Sequence, residues 1–282
     1  MKGNTITGGI IITILLTSII FTFTSSIFLE SPIKFGEDVS GVIRTYTLVS
    51  EDVPGAKHIN LNFTVKAGRI YINFTDDSNL IYKFVFKQDK EAKRPNIENI
   101  TFNNGLLVNV MAESGDIKIT LGNNYIYNGT LRVGLGGITA RFSNYSNIEF
   151  FDLSAIYAGG VLVDIEDGAS FDNFNLRVNS GGITIQIKAN SLKKSSNISA
   201  RVELGGVIIN SIPVGMNLGS RLRAIADIGG VSINPGNFSI IKQTANEVEI
   251  MTNNYLMAPT KLDIEIFTGL GGTLINKNFF LS

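Results

Sequence analysis

The stretch Leu176-Arg177-Val178-Asn179-Ser180-Gly181-Gly182-Ile183-Thr184-Ile185-Gln186-Ile187 decides the fold. Apolar or small residues stand at Leu176, Val178 and Ser180, then at Ile183, Ile185 and Ile187. Alternation with period two marks a strand with one buried face. Across the glycine pair the alternation slips, because Ser180 and Ile183 are three residues apart. The chain therefore turns or bulges at Gly181-Gly182, so that both strands point the same face inward.

The same frame recurs along the chain. Gly136-Gly137, Gly159-Gly160, Gly181-Gly182, Gly205-Gly206, Gly229-Gly230 and Gly271-Gly272 follow one another at steps of 23, 22, 24, 24 and 42 residues. Two further units lack the pair. One is centred on Gly115 (Val110, Ala112, Ser114, then Ile117, Ile119, Leu121) and one on Gly68 (Phe63, Val65, Ala67, then Ile70, Ile72, Phe74). Eight units of about 22 residues are a repeat architecture. The long steps, Gly68 to Gly115 and Gly229 to Gly271, are close to two periods. They predict degenerate units near Glu91 and Ile250.

Glycine reaches positive φ without a Cβ penalty and lets backbones approach closely. Two all-β architectures fit. Each pair is either the two-residue turn of a β-hairpin, in a stack of hairpins, or the corner of a β-solenoid coil, stacked on the next corner about 4.8 Å away. The units Ser114-Gly115-Asp116-Ile117, Ser180-Gly181-Gly182-Ile183 and Leu204-Gly205-Gly206-Val207 resemble those of the glycine-rich adhesin-type domains of bacteria and archaea. The resemblance spans residues 106–275 and implies repetitive β units in toast-rack or β-helix form. It also implies a surface location more than any defined activity.

Composition narrows the function classes. The chain has 282 residues, 44% hydrophobic and 17% charged, enough for a sizeable core. Lys plus Arg equals Asp plus Glu at 24 each, so nothing favours nucleic acid, which calls for a basic stripe. With no cysteine, disulfides, thiolate metal sites and a cysteine nucleophile are excluded.

Gly3 to Leu29 holds no charged residue. Residues 8–29 would be about 33 Å long as a helix, against a hydrocarbon core of about 30 Å. A cleaved signal peptide and an uncleaved anchor both fit residues 1–29. The length of the run and the lack of an Ala-x-Ala site favour the anchor. The expected protein is thus a single-pass membrane protein with its body outside the cytoplasm, in contact with the bilayer through residues 8–29. Residues 30–104 read as an N-terminal β region, with a charged loop from Gln88 to Asn96, and residues 105–282 as the glycine-pair repeat domain.

Candidate chemistry is sparse. Seven Asn-x-Ser/Thr sequons stand at Asn62, Asn73, Asn99, Asn128, Asn144, Asn197 and Asn237, a mild excess for so asparagine-rich a chain. Asn128, Asn144, Asn197 and Asn237 lie eight residues before or after a first glycine, which places them in loops between units where a sugar would project outward. Asp164-Ile165-Glu166-Asp167-Gly168 and Asp76-Asp77 gather acids near turns, but a Ca²⁺ site needs six to eight converging oxygens. A solvated turn is the simpler account of both. His58 is the single histidine and has no nucleophile turn near it. No phosphate loop is present, and no acids recur on neighbouring units as a glycosidase face requires. Tyr125, Tyr127, Tyr145 and Tyr157 lie near unit edges as candidate contacts. The reading is a non-enzymatic, cofactor-free, adhesin-like or envelope-associated protein that binds another surface protein or a glycan. The alternatives are a structural spacer without a ligand and a carbohydrate-active enzyme on the same scaffold.

Overall fold

The computed structural model describes residues 41–212, 217–234 and 238–275. The expected anchor at residues 8–29 lies outside them. Among the described residues no helix is long and apolar enough to cross a membrane. These residues form thirteen strands: β1 (Gly41–Val49), β2 (His58–Phe74), β3 (Leu80–Asp89), β4 (Asn96–Phe102), β5 (Gly105–Leu121), β6 (Ile126–Phe142), β7 (Ile148–Ile165), β8 (Phe171–Ile187), β9 (Ser196–Asn210), β10 (Leu218–Ile233), β11 (Phe238–Gln243), β12 (Glu247–Thr252) and β13 (Thr260–Ile275).

Each repeat unit is a single long strand, bent at its glycine into a first and a second arm. Eight such strands stack in the order β5-β2-β6-β7-β8-β9-β13-β10, each parallel to its neighbour. Parallel pairing rules out the stack of hairpins, in which partners would run antiparallel. The corner geometry of the solenoid reading is the one present. Glycine sits on glycine through the stack, as in Gly136↔Gly159, Gly159↔Gly181 and Gly181↔Gly205.

The two glycines of a pair do different jobs. The first has positive φ, for example +136° at Gly181 and +139° at Gly205. A Cβ there would fall 1.8 Å and 1.7 Å from the carbonyl oxygen of the glycine on the neighbouring rung. The second glycine is a matter of space. On β2 and β5 its place is taken by Arg69 and Asp116, which pair at 3.0 and 2.6 Å across the corner. The forked ion pair raises the guanidinium's pKa further above its ordinary value.

The core lies between the two arms, and aromatic rings interleave across it. Phe142, on a second arm, stacks on Phe174, on a first arm, with centroids 4.4 Å apart. Phe74 meets Tyr127 edge-on at 5.7 Å. Facing residues such as Leu131, Val133, Ile138, Ala140 and Phe142 are fully buried. The residue before each first glycine departs from the expected inward phase. Leu135, Leu204 and Ile228 are about half exposed, on the outside of the corner. The bend turns that position out of the core, and the inward set resumes two residues after the glycine.

The doubled steps are not degenerate coils. Near Glu91 the chain leaves the stack for antiparallel strands: β3 pairs with the second arm of β5, and β4 with its first arm. Near Ile250 the antiparallel strand β12 pairs with the first arm of β10, and β11 follows it. At both ends chain order and stack order part. β2 sits between β5 and β6, and β13 sits between β9 and β10. The regions expected on either side of residue 104 therefore share one sheet.

Candidate functional site

On the first arms, residues at even offsets from the first glycine point away from the core, and parallel register turns them into rows along the stack. One row is amide-rich: Asn173 lies beside Asn197, and the Asn197 amide donates to the Asn173 carbonyl oxygen at 3.2 Å. In the next row, that of Asn175, Asn62 on β2 and Asn109 on β5 make the same kind of contact at 3.2 Å. The row after that reads Arg132, Ser154, Arg177, Arg201, Phe267 across β6, β7, β8, β9 and β13.

Between the rows of β8 and β9 runs a groove of about 420 Å³, lined by Asn175, Arg177, Asn179, Ser199, Arg201 and Glu203. A second hollow of about 170 Å³ continues from Ser199 and Arg201 to Arg223, Glu265 and Phe267. The first is within the size range of ligand sites but is unusually polar and shallow for a small-molecule pocket. Its side chains are held in place. Arg201 donates to Glu203 at 2.5 Å and lies over the Phe267 ring, 4.3 Å from its centroid. Ser154 donates to Asp152 at 2.7 Å, and the other oxygen of Asp152 is 3.9 Å from Arg177. An open polar strip with amides, hydroxyls, guanidinium groups and one half-buried ring suits an extended, hydroxylated ligand.

The residues singled out from sequence do not assemble into one site. Asp164 is not the solvated turn residue expected: its side chain is only 5% exposed, and Lys188 reaches it at 2.9 Å and Arg141 at 3.7 Å. Arg141 also lies 3.8 Å from Glu166. Asp167 accepts the backbone N–H groups of Asn190 and Ser191 at 2.5 and 3.2 Å, tying one interstrand loop to the next. These acids are structural, and no metal-holding group of acids and histidines forms among the described residues. Asp167→Ala is expected to cost about 1 kcal/mol, from two backbone donors left to water. Millimolar Ca²⁺ should leave the melting midpoint of the parent protein unchanged in the same calorimetric runs. Asp77 plays a similar turn role, accepting from the N–H groups of Asn79 and Leu80.

The tyrosines separate. Tyr127 is fully buried, donates to the Ile81 carbonyl at 2.8 Å, and has its pKa pushed well up by burial. Tyr125 is buried beside it, whereas Tyr145 and Tyr157 are exposed in different places. Tyr157 protrudes where β7 carries an extra residue before Gly159. His58 opens β2, half-buried.

Among the sequons, Asn144 lies in the loop after β6, as expected. Asn128 and Asn197 do not lie in loops. They are strand residues on the outer face of β6 and β9, because these strands begin earlier than the alternation suggested. Asn62, Asn73 and Asn99 are also in strands, and Asn237 lies outside the described residues. Sequence reasoning missed Arg177 and Arg201, although both stand four residues before a first glycine, as Arg132 does.

No protein-family model matches the chain, and no curated protein matches it. Solved structures similar to it include the following three. A proposed cell adhesion protein from Clostridium sporogenes shares 14% identity and superposes with a TM-score of 0.47, over 84% of this chain and 99% of that one. A proposed adhesin from Bacteroides fragilis shares 10% identity at a TM-score of 0.30, over 84% and 98% of the two chains. Another, from Parabacteroides distasonis, shares 14% at a TM-score of 0.26, over 83% and 97%.

Proposed function

We propose that this chain is an adhesin-like binding protein: a β-stack held outside the cytoplasm by its apolar span at residues 8–29, which engages a surface glycan along the first-arm face of β8 and β9. The observation that carries the reading is the groove of Asn175, Arg177, Asn179, Ser199, Arg201 and Glu203. Its floor is a sheet whose backbone groups are already paired within the stack. A peptide strand has no free edge to join there, so recognition rests on side chains that suit hydroxyl groups.

The test uses the full-length chain in detergent against a panel of neutral and charged polysaccharides. Capture of at least one of them is expected. Ser199→Tyr places a ring across the groove at an exposed position and should weaken that capture about tenfold or more, equal to about 1.4 kcal/mol, without moving the melting midpoint. A panel with no binder would return the chain to the role of a ligand-free spacer, and full binding by Ser199→Tyr would overturn the groove as the binding face.

A further inference from the structure

Arg177 and Arg201 are direct partners in the parallel register of β8 and β9. Among the paired described residues they are the one in-register pair of like charge. Like charges directly opposite each other weaken a sheet. Elsewhere this chain avoids them. Arg69 faces Asp116, Arg141 faces Asp164, Arg223 faces Glu265, and Arg221 faces Asp263. Arg177 is also poorly neutralised. The carboxylate nearest Arg177 is 3.9 Å away, too long for a hydrogen bond, and already accepts the Ser154 hydroxyl through its other oxygen. Arg201 is paired with Glu203 at 2.5 Å on an exposed surface, where an incoming carboxylate displaces Glu203 at little cost. Both guanidinium groups keep more than half of their side-chain surface in water, at 59% and 54%.

We infer that the groove takes an anionic polysaccharide, of the uronate type, whose carboxylates lie between or across the two guanidinium groups; this rests on the glycan reading above. Rung spacing sets the two arginines about 4.8 Å apart at the backbone, close to the advance of a sugar chain per ring. Arg132 continues the row two rungs away, beyond Ser154. A polymer running along the stack meets two adjacent cations, then a rung at Ser154 whose hydroxyl is buried against Asp152, then a third cation. Guanidinium forks match carboxylates in two parallel hydrogen bonds. The amides of Asn175 and Asn179 and the hydroxyl of Ser199 flank them for the neutral groups of the ring. Nucleic acid, the other polyanion, fits a chain with 24 basic and 24 acidic residues poorly.

The experiment compares polygalacturonate with its fully methyl-esterified form, which keeps the backbone and removes the charge, and with poly-glutamate, which keeps the charge on a peptide. The full-length chain should bind polygalacturonate, bind the ester about tenfold or more weakly, and lose affinity as salt rises. Arg177→Gln and Arg201→Gln should each weaken polygalacturonate about tenfold. Lys118→Gln, exposed on a second arm, should leave binding unchanged. Equal binding of acid and ester, with Ser199→Tyr still blocking both, overturns the anionic assignment and leaves the glycan reading standing. Binding of poly-glutamate as tightly as polygalacturonate overturns the polysaccharide assignment. Failure of every polysaccharide overturns the glycan reading itself.

Discussion

Gly205→Ala is expected to lower the melting midpoint by roughly 10 °C or more, at about 2–4 °C per kcal/mol for a body of this size. Two effects add. The residue has φ +139°, where a side chain is strained by about 1–3 kcal/mol. The new Cβ would also stand 1.7 Å from the Gly181 carbonyl oxygen and 2.8 Å from its carbon. Those are backbone atoms in a parallel ladder, so no rotamer change relieves the overlap. The rungs must part locally, at an overpacking cost of about 1–3 kcal/mol. Gly160→Ala is the matched control. It is the second glycine of its pair, it lacks positive φ, and its Cβ would come no nearer than 3.2 Å to the Gly182 oxygen. Its midpoint should move by only a few degrees. Thermal melts followed by circular dichroism decide the point. Equal shifts for the two variants would mean that the pair acts as a unit and that the division of labour within it is wrong.

Phe142→Ala should cost about 3–5 kcal/mol, the range for a fully buried phenylalanine cut to alanine. Phe142 is 0% exposed and sits where the arms meet. It stacks on Phe174 at 4.4 Å and approaches Phe151 and Phe74, each at 6.1 Å. Removing it empties one layer of the core that joins β2, β6, β7 and β8. Phe267→Ala, where the ring lies half-buried on the outer face under Arg201, should cost about 1 kcal/mol and act chiefly on ligand binding. Urea titration of both variants gives the comparison. A loss at Phe142 no greater than at Phe267 would show that the two arms do not share one core.

Much of the fold was legible because its signal is local. Alternation at Leu176, Val178, Ile183, Ile185 and Ile187 marks the inner face of one rung, and the recurrence of that pattern announces eight rungs. What the spacing could not carry was which rung lies beside which. A step of 47 residues from Gly68 to Gly115 looks like a skipped coil, but the chain spends those residues on β3 and β4 and then sets β5 on the far side of β2. Nothing within a single unit encodes that exchange. The exposed Leu135, Leu204 and Ile228 misled for a related reason: alternation assumes a straight strand, and the corner is where the strand is not straight.

The groove was illegible in a different sense. Arg132, Arg177 and Arg201 share one offset from their glycines, so the row was present in the letters. An offset becomes a row only when neighbouring units run parallel and in register. With hairpins still open, the three arginines had no common face. The sequon asparagines failed in the opposite direction. Asn128 and Asn197 were placed outward correctly, but in loops, because strand starts are set by pairing with the next rung rather than by the local pattern.

The position of β13 has a consequence for the order of assembly. Its sixteen residues, 260–275, are the last strand among the described residues, yet they lie inside the stack, between β9 and β10. Until they arrive, β10 and the β11–β12 hairpin that it carries have no parallel partner joining them to the rest. A chain emerging from its N-terminus can build rungs one after another up to β9 and must then wait. The closing strand acts as a keystone, set last and holding both sides. Such long-range closure is slow, since a loop of some fifty residues must be organised before the contacts that reward it can form. A prematurely ended chain is therefore not merely shorter by one rung: it leaves β9 bare and β10 adrift, two open edges of the kind that pair with other chains.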